Sequence, residues 1–179
     1  MVYLFKYKIG PEEKKNSLRF IEASLKRCFS ADGSNIKVYK DDAGRPLTDR
    51  EGVWVSATHT GDVVICAVSG CPVGIDAQIV KEGLDGQRIA GRFFTEEEAD
   101  KVRNAGLEAF YEIWCRKEAF SKVIGKGISY GLKNIDTLNE AGEYADEILG
   151  FRMMGEKIPE GYFACAGGEG DLLWIEIQE

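Results

Sequence analysis

The spacing of apolar residues changes period several times along the 179-residue chain, and each change marks an element. Residues 2–7 read as a short strand. Over 12–29, Leu18, Ile21, Leu25 and Cys28 recur at helical spacing and predict a helix. Residues 36–39 predict another short strand, and the run Asp41-Asp42-Ala43-Gly44-Arg45-Pro46 predicts a turn-rich loop. Three strand-like runs follow at 53–56, 63–69 and 73–77, punctuated by Gly61-Asp62 and Gly70-Cys71-Pro72, a pattern that predicts an antiparallel meander. Residues 89–94 open a helical stretch, and Thr95-Glu96-Glu97-Glu98 has the form of a capping box for the next helix. The strongest helical pattern covers 107–124. Beyond it lie a glycine-rich loop at 125–131, a polar connector, and a final hairpin from 162–166 to 172–176.

The runs Ile65-Cys66-Ala67…Ile75-Asp76 and Ala164-Cys165-Ala166…Ile175-Glu176 look alike at an offset of about a hundred residues. That repetition predicts an α+β protein of two similar halves, 1–77 and 78–179.

Composition narrows the class. A hydrophobic fraction of 44% and an aromatic fraction of 11% are enough for a buried core, which excludes a disordered chain. A net charge of −7 argues against a general nucleic-acid binder, which needs a broad basic surface, but leaves room for a local basic pocket. The five cysteines are odd in number and contain no Cys-x-x-Cys pair, so they read as reduced core residues of a cytoplasmic protein. Residues 1–9 are too short and too interrupted by lysine for a signal peptide, and no apolar run reaches membrane-spanning length.

Two segments carry the candidate chemistry. In Val73-Gly74-Ile75-Asp76 an acid ends an apolar strand. In the long helix, Leu107, Phe110, Tyr111, Trp114 and Cys115 form an apolar stripe whose continuation lands on Glu118 and Lys122. Burying a bare carboxylate is costly, so an acid at the edge of a core calls for a cation or a strong donor. The plainer reading of Glu118 and Lys122 is an i,i+4 pair of a few tenths of a kcal/mol, and Asp76 alone could be a turn cap. Together, two acids suggest one shared cation, and the nearby lysine suggests an anion beside it. Two carboxylates with phosphate and water oxygens suit Mg²⁺; a single histidine and scattered cysteines do not suit zinc. That histidine, His59, sits among hydroxyls in Ser56-Ala57-Thr58-His59-Thr60-Gly61, and Lys126 is flanked by glycines, surroundings compatible with phosphate contact. Gly74 is compatible with close approach of a ligand to the backbone.

Read together, these segments resemble the 4′-phosphopantetheinyl transferases of the surfactin-synthetase-activating type. The resemblance rests on Val73-Gly74-Ile75-Asp76 and, about forty residues on, Trp114-x-x-Lys117-Glu118-Ala119-x-x-Lys122. It extends to Gly44-Arg45-Pro46, to Thr58-His59-Thr60, to Arg92-Phe93-Phe94-Thr95, and to Gly125-Lys126-Gly127, covering roughly residues 12–131. The family implies a pseudo-dimer of two halves, each a small antiparallel sheet packed on a long helix, with coenzyme A bound between them. It implies Mg²⁺-dependent transfer of the 4′-phosphopantetheine group to a serine of an apo acyl or peptidyl carrier protein, releasing 3′,5′-ADP. By that resemblance Asp76 and Glu118 hold the metal, Glu118 or a water it positions takes the serine proton, and Lys122 stabilises the departing phosphate oxygen. Arg45 and His59 would contact the ribose 3′-phosphate, with Thr58 and Lys126 also on coenzyme A. A monomer is implied.

Three departures from the family pattern matter. Gln78 stands where many members carry a second acid, so an amide oxygen or a water would complete the metal site. Thr58-His59-Thr60 replaces the commoner Ser-His-Ser. The N-terminal stretch is shorter than usual, leaving Lys15 and Arg19 as candidate basic contacts. The competing readings are a non-catalytic coenzyme A or carrier-protein binding module, and a small metal-dependent nucleotide pyrophosphatase.

Overall fold

A computed structural model describes residues 1–10, 17–30, 35–126 and 131–177. The fold is α+β. The first sheet contains β1 (Val2–Lys8), β4 (Trp54–Thr60), β5 (Val63–Ser69) and β10 (Leu172–Ile177) in the order β10-β1-β5-β4. Helix α1 (Ser17–Phe29) covers one face, setting Phe20, Ile21 and Leu25 against Phe5, Tyr7, Val64, Cys66 and Val68. The helix predicted over 12–29 therefore holds from Ser17; residues 11–16, Lys15 among them, lie outside the described residues.

The second sheet has the order β6-β9-β8-β7, from β6 (Val73–Gln78), β7 (Glu147–Ile148), β8 (Phe151–Ile158) and β9 (Gly161–Gly167). Its inner face meets the first sheet: Val73, Ile75, Ala77, Phe163 and Cys165 pack on Val2, Leu4, Ile65 and Ala67. Its outer face packs on helix α4 (Leu107–Val123), and α2 (Gly86–Phe93) and α3 (Glu96–Ala105) pack in turn on α4. The layers thus run α1, first sheet, second sheet, α2–α4. Strands β5 and β9 are buried at every one of their seven positions because both of their faces are covered. Continuous apolar runs are what such strands require, and this accounts for the likeness between 65–67 and 164–166.

The meander predicted over 53–77 is only half present. Strands β4 and β5 form the expected antiparallel hairpin, but β6 leaves for the second sheet and pairs antiparallel with β9. The final hairpin is also corrected: β10 does not pair with β9 but runs parallel to β1. The physical reason is shared by both pairs. Alternate residues of β5 and β6 face the same inter-sheet core, which places the two strands on opposite sheets rather than side by side. The links at Gly70-Cys71-Pro72 and 168–171 carry the chain between layers.

Other elements are longer or more ordered than their patterns. The loop at 41–45 is the tip of a ribbon formed by β2 (Val38–Lys40) and β3 (Pro46–Thr48). The polar connector contains a 3₁₀ turn (Leu132–Asn134) and the strands β7 and β8. The capping box is present, with Thr95 Oγ1 accepting from the Glu98 N–H and Glu98 Oε2 accepting from the Thr95 N–H. Helix α4 is not buried along one stripe alone: Arg116, Lys117, Ala119 and Ser121 are buried too, because the second sheet lies on one side and the 131–148 segment with α2 and α3 on the other. All five cysteines are free thiols, with Cys66, Cys115 and Cys165 buried. Among the described residues, no helix is long and apolar enough to cross a membrane.

Candidate active site

The site forms where the edge strands of the two sheets, β4 and β6, run side by side. These strands do not share a backbone ladder. Instead, three hydroxyls of β4 accept from three N–H groups of the β6 segment: Ser56 from Ile75 at 3.1 Å, Thr58 from Ala77 at 3.3 Å, and Thr60 from Ile79 at 2.7 Å. The period of two along β4 points 56, 58 and 60 to one side, so a side-chain ladder satisfies an edge that would otherwise leave donors unpaired.

Asp76 projects from β6 on the other side, toward α4, and only 5% of its side chain is exposed. Its two oxygens accept three protein donors. Oδ1 takes Thr58 Oγ1 at 3.0 Å and Lys122 Nζ at 2.9 Å, and Oδ2 takes Gln78 Nε2 at 2.9 Å. Lys122 also donates to the Ile75 carbonyl at 2.7 Å. The i,i+4 spacing thus does not identify the partner of Lys122: its ion pair is with Asp76, across 46 residues. Thr58, read as a phosphate-contacting hydroxyl, is engaged on both sides, by Ala77 and by Asp76.

Gly74 makes this meeting possible. A Cβ there would lie 2.2 Å from the Ala119 carbonyl oxygen and 2.5 Å from the Val123 nitrogen. The close approach anticipated at Gly74 is made by the backbone of α4. Glu118, one turn before Lys122, is half-buried beside the same carboxylate. Burial pushes its pKa up, Asp76 pushes it further, and Lys122 partly opposes both.

The rotation of α4 is fixed one residue earlier. Lys117 is fully buried and spends its three protons on Glu98 Oε2 at 2.6 Å, the Leu132 carbonyl at 2.9 Å and the Ile135 carbonyl. Glu98 is fully buried as well, and its Oε1 accepts from the Thr137 N–H at 2.9 Å and the Thr137 hydroxyl at 2.7 Å. Every proton of the ammonium has an acceptor, the condition under which a buried ion pair is tolerated. The network ties α3, α4 and the 132–137 segment together. Desolvation still pushes the Lys117 pKa down, against the pull of Glu98. Sequence reading assigns Glu98 only its capping role; a Lys directly before Glu118 in a helix buried nearly all round is the available signal.

A cavity of about 490 Å³ opens beside Lys122. Lys40, Arg45, Ser56, Ser121 and Lys126 are among its other walls, so four cations converge on it in a chain of net charge −7. Sequence reading misses Lys40, which adjoins the Arg45 turn on the ribbon. Arg45 is braced by Asp41, through Nε at 3.2 Å and through its backbone N–H at 2.8 Å. Its guanidinium lies over Gly125, where a Cβ would fall 2.4 Å from Nη1. Gly125 has a φ of +68°, a conformation that suits glycine and ends α4 against that arginine. His59 is exposed on the face of β4 away from Thr58; Ala57, which shares that face two residues earlier, lines the cavity. Arg19 lies over the Phe20 ring at 4.5 Å, and residues 127–130 lie outside the described residues. A larger cavity of about 850 Å³ near the end of α1 contains none of the anticipated site residues.

Among the described residues, no three His, Cys, Asp or Glu side chains gather as a metal cage. Two neighbouring carboxylates, an amide and an adjacent cationic cavity could instead hold a hard cation that keeps waters and shares phosphate oxygens, as Mg²⁺ does. Such an arrangement is suited chemically to a phosphorylated ligand next to paired carboxylates. The family model of the 4′-phosphopantetheinyl transferase superfamily matches residues 72–151, which include β6 and the whole of α4. A 4′-phosphopantetheinyl transferase of Aneurinibacillus migulanus is 34% identical over 112 residues, 60% of this chain and 46% of the relative. One from Bacillus pumilus is 42% identical over 91 residues, covering 48% of this chain and 38% of the relative. One from Bacillus subtilis is 28% identical over 162 residues, covering 78% of this chain and 71% of the relative. The chain thus spans less than half the length of the first two. Over residues 72–151 the chain is similar to the 4′-phosphopantetheinyl transferase superfamily, and over longer stretches to individual transferases of it.

Proposed function

We propose that this chain transfers the 4′-phosphopantetheine group of coenzyme A to a serine of an apo acyl or peptidyl carrier protein, releasing 3′,5′-ADP. The observation that carries the reading is the meeting of Asp76, Glu118 and Lys122, from a strand and a helix of distant sequence, at the mouth of a four-cation cavity.

In this account the cavity receives the nucleotide end of coenzyme A. Arg45 and His59 take the 3′-phosphate, for which the braced, forked guanidinium is well shaped, and Lys126 lies along the diphosphate. Asp76 and Glu118 would hold Mg²⁺. Gln78 gives its amide nitrogen to Asp76, so its amide oxygen is the atom it can offer to the ion. When bound, the ion neutralises diphosphate charge that would repel the nucleophile. The serine oxygen attacks the β-phosphorus, the bond from that phosphorus to the bridging oxygen breaks, and 3′,5′-ADP departs with that oxygen. Glu118, or a water it positions, accepts the serine proton; a carboxylate with a raised pKa is better matched to that task near neutral pH. Lys122 stabilises the departing phosphate oxygen. We read 1–77 and 78–179 as two similar halves of a pseudo-dimer acting as a cytoplasmic monomer. The exchange of strands supports the two-half reading, since β6 at the end of the first half joins the second sheet and β10 of the second half joins the first.

Intact-mass measurement of a panel of apo carrier proteins incubated with the chain, coenzyme A and Mg²⁺ tests the proposal. The expected result is a gain of one phosphopantetheinyl group on at least one carrier, abolished by EDTA. No gain on any carrier, with coenzyme A still bound, would replace the transferase with a binding module.

A further inference from the structure

The carboxylate that should hold the cation is already neutralised from within the chain. Lys122 Nζ stands 2.9 Å from Asp76 Oδ1, Thr58 Oγ1 shares that oxygen at 3.0 Å, and Gln78 Nε2 occupies the other at 2.9 Å. Three donors on two oxygens, one of them a full positive charge, leave little for a divalent ion. Lys122 differs from the other two donors in its position. Its side chain is 31% exposed against 5% for Asp76, and it forms part of the cavity wall together with Lys40, Arg45 and Lys126. An ammonium on a flexible four-carbon stem can turn from the carboxylate into that space without moving the backbone. Thr58 and Gln78 hold the carboxylate in place meanwhile.

We propose that Lys122 is an exchangeable counter-ion of Asp76: a divalent cation takes its place on the carboxylate, and the released ammonium turns into the cavity to meet the anionic group of the substrate. This rests on the metal site proposed above and goes beyond it. Linkage makes the effect reciprocal. A cation on Asp76 strengthens the cavity for an anion, and an anion that draws Lys122 away strengthens Asp76 for the cation. The site thereby resists loading with metal alone and favours loading with both.

The test reads the lysine and the metal separately, with no nucleotide present. Brief acetylation of the full chain with acetic anhydride, with and without Mg²⁺, is followed by peptide mass at Lys122 against the exposed Lys133 as internal reference. Mn²⁺ binding is measured in parallel by electron paramagnetic resonance. Expected are a severalfold rise in Lys122 acetylation on adding Mg²⁺, and about tenfold tighter Mn²⁺ binding by Lys122→Met than by wild type. In Asp76→Asn, Lys122 should react rapidly whether or not Mg²⁺ is added. Cation binding that leaves Lys122 reactivity unchanged would overturn the exchange while the metal site stood. Failure of both wild type and Lys122→Met to bind Mn²⁺, or undiminished binding by Asp76→Asn, would overturn the metal site and the exchange together.

Discussion

Gly74 of β6 and Ala119 of α4 are packed closer than any side chain allows: a Cβ on Gly74 would lie 2.2 Å from the Ala119 carbonyl oxygen. This contact sets the distance between the strand that carries Asp76 and the helix that carries Glu118 and Lys122. Gly74→Ala must therefore push α4 outward. A loss of about 1–3 kcal/mol of stability, typical of overpacking, is expected in urea unfolding. Activity should fall further than that loss explains, because the two carboxylates separate.

Thr58 is expected to act through Asp76. Thr58→Val keeps the shape but removes the donor to Asp76 and the acceptor for the Ala77 N–H. Leaving that N–H unmatched should cost about 1–3 kcal/mol, and the apparent affinity for Mg²⁺ in the transfer assay should weaken. Thr58→Ser, which retains the hydroxyl, should restore most of both. Equal metal titrations for Thr58→Val and wild type would detach Thr58 from Asp76.

Lys117 and Glu98 make a coupled pair. Lys117→Met or Glu98→Gln alone should destabilise by about 3–5 kcal/mol, since each leaves a buried charge without its partner. The double variant should lose less than the sum of the two. Its single amide oxygen at position 98 can still accept from the 137 N–H and hydroxyl, at the expense of the cap on the 95 N–H, while neither charge remains. Additive losses in urea unfolding would show that the pair does not act as a unit.

Glu118 illustrates a functional group held against stability. Its pKa is raised by burial and by Asp76, so its protonated form is the one the fold favours. In EDTA the part of the stability that depends on Glu118 should be fully present below the ordinary Glu range of about 4.3 and be lost as pH rises through the higher folded value. Glu118→Gln, which cannot ionise, should melt higher than wild type near neutral pH, with the gap closing in acid. A lower melting temperature for Glu118→Gln at neutral pH would contradict this.

Much of the site was legible in the sequence because the acids stand out against their neighbours. Asp76 ends an apolar run, and Glu118 and Lys122 continue an apolar stripe, positions where solvated charges do not belong. The helices α3 and α4 were equally legible, since their cap and periodicity are local. Strand pairing was not. Whether β6 lies beside β5 or faces it depends on what the other side of the inter-sheet core supplies, and Phe163 and Cys165 are some ninety residues away. The Lys117–Glu98 bond was hidden for a related reason: both partners lie on helices whose crossing no local pattern states. The hydroxyls at 56, 58 and 60 were visible as a period-two set, but their role required knowing that an unpaired strand edge lay next to them.

The central claim is that Asp76 and Glu118 belong to one metal-assisted transfer site. It is tested most directly by the rate of carrier loading over a series of Mg²⁺ concentrations for wild type, Asp76→Ala and Glu118→Gln, with fold checked by thermal unfolding. The account predicts metal-dependent loading by wild type, a loss of about 10²–10⁴-fold in Glu118→Gln at saturating Mg²⁺, and loss of activity in Asp76→Ala that added metal does not recover. Wild-type loading by either folded variant, or loading that persists in EDTA, would contradict it.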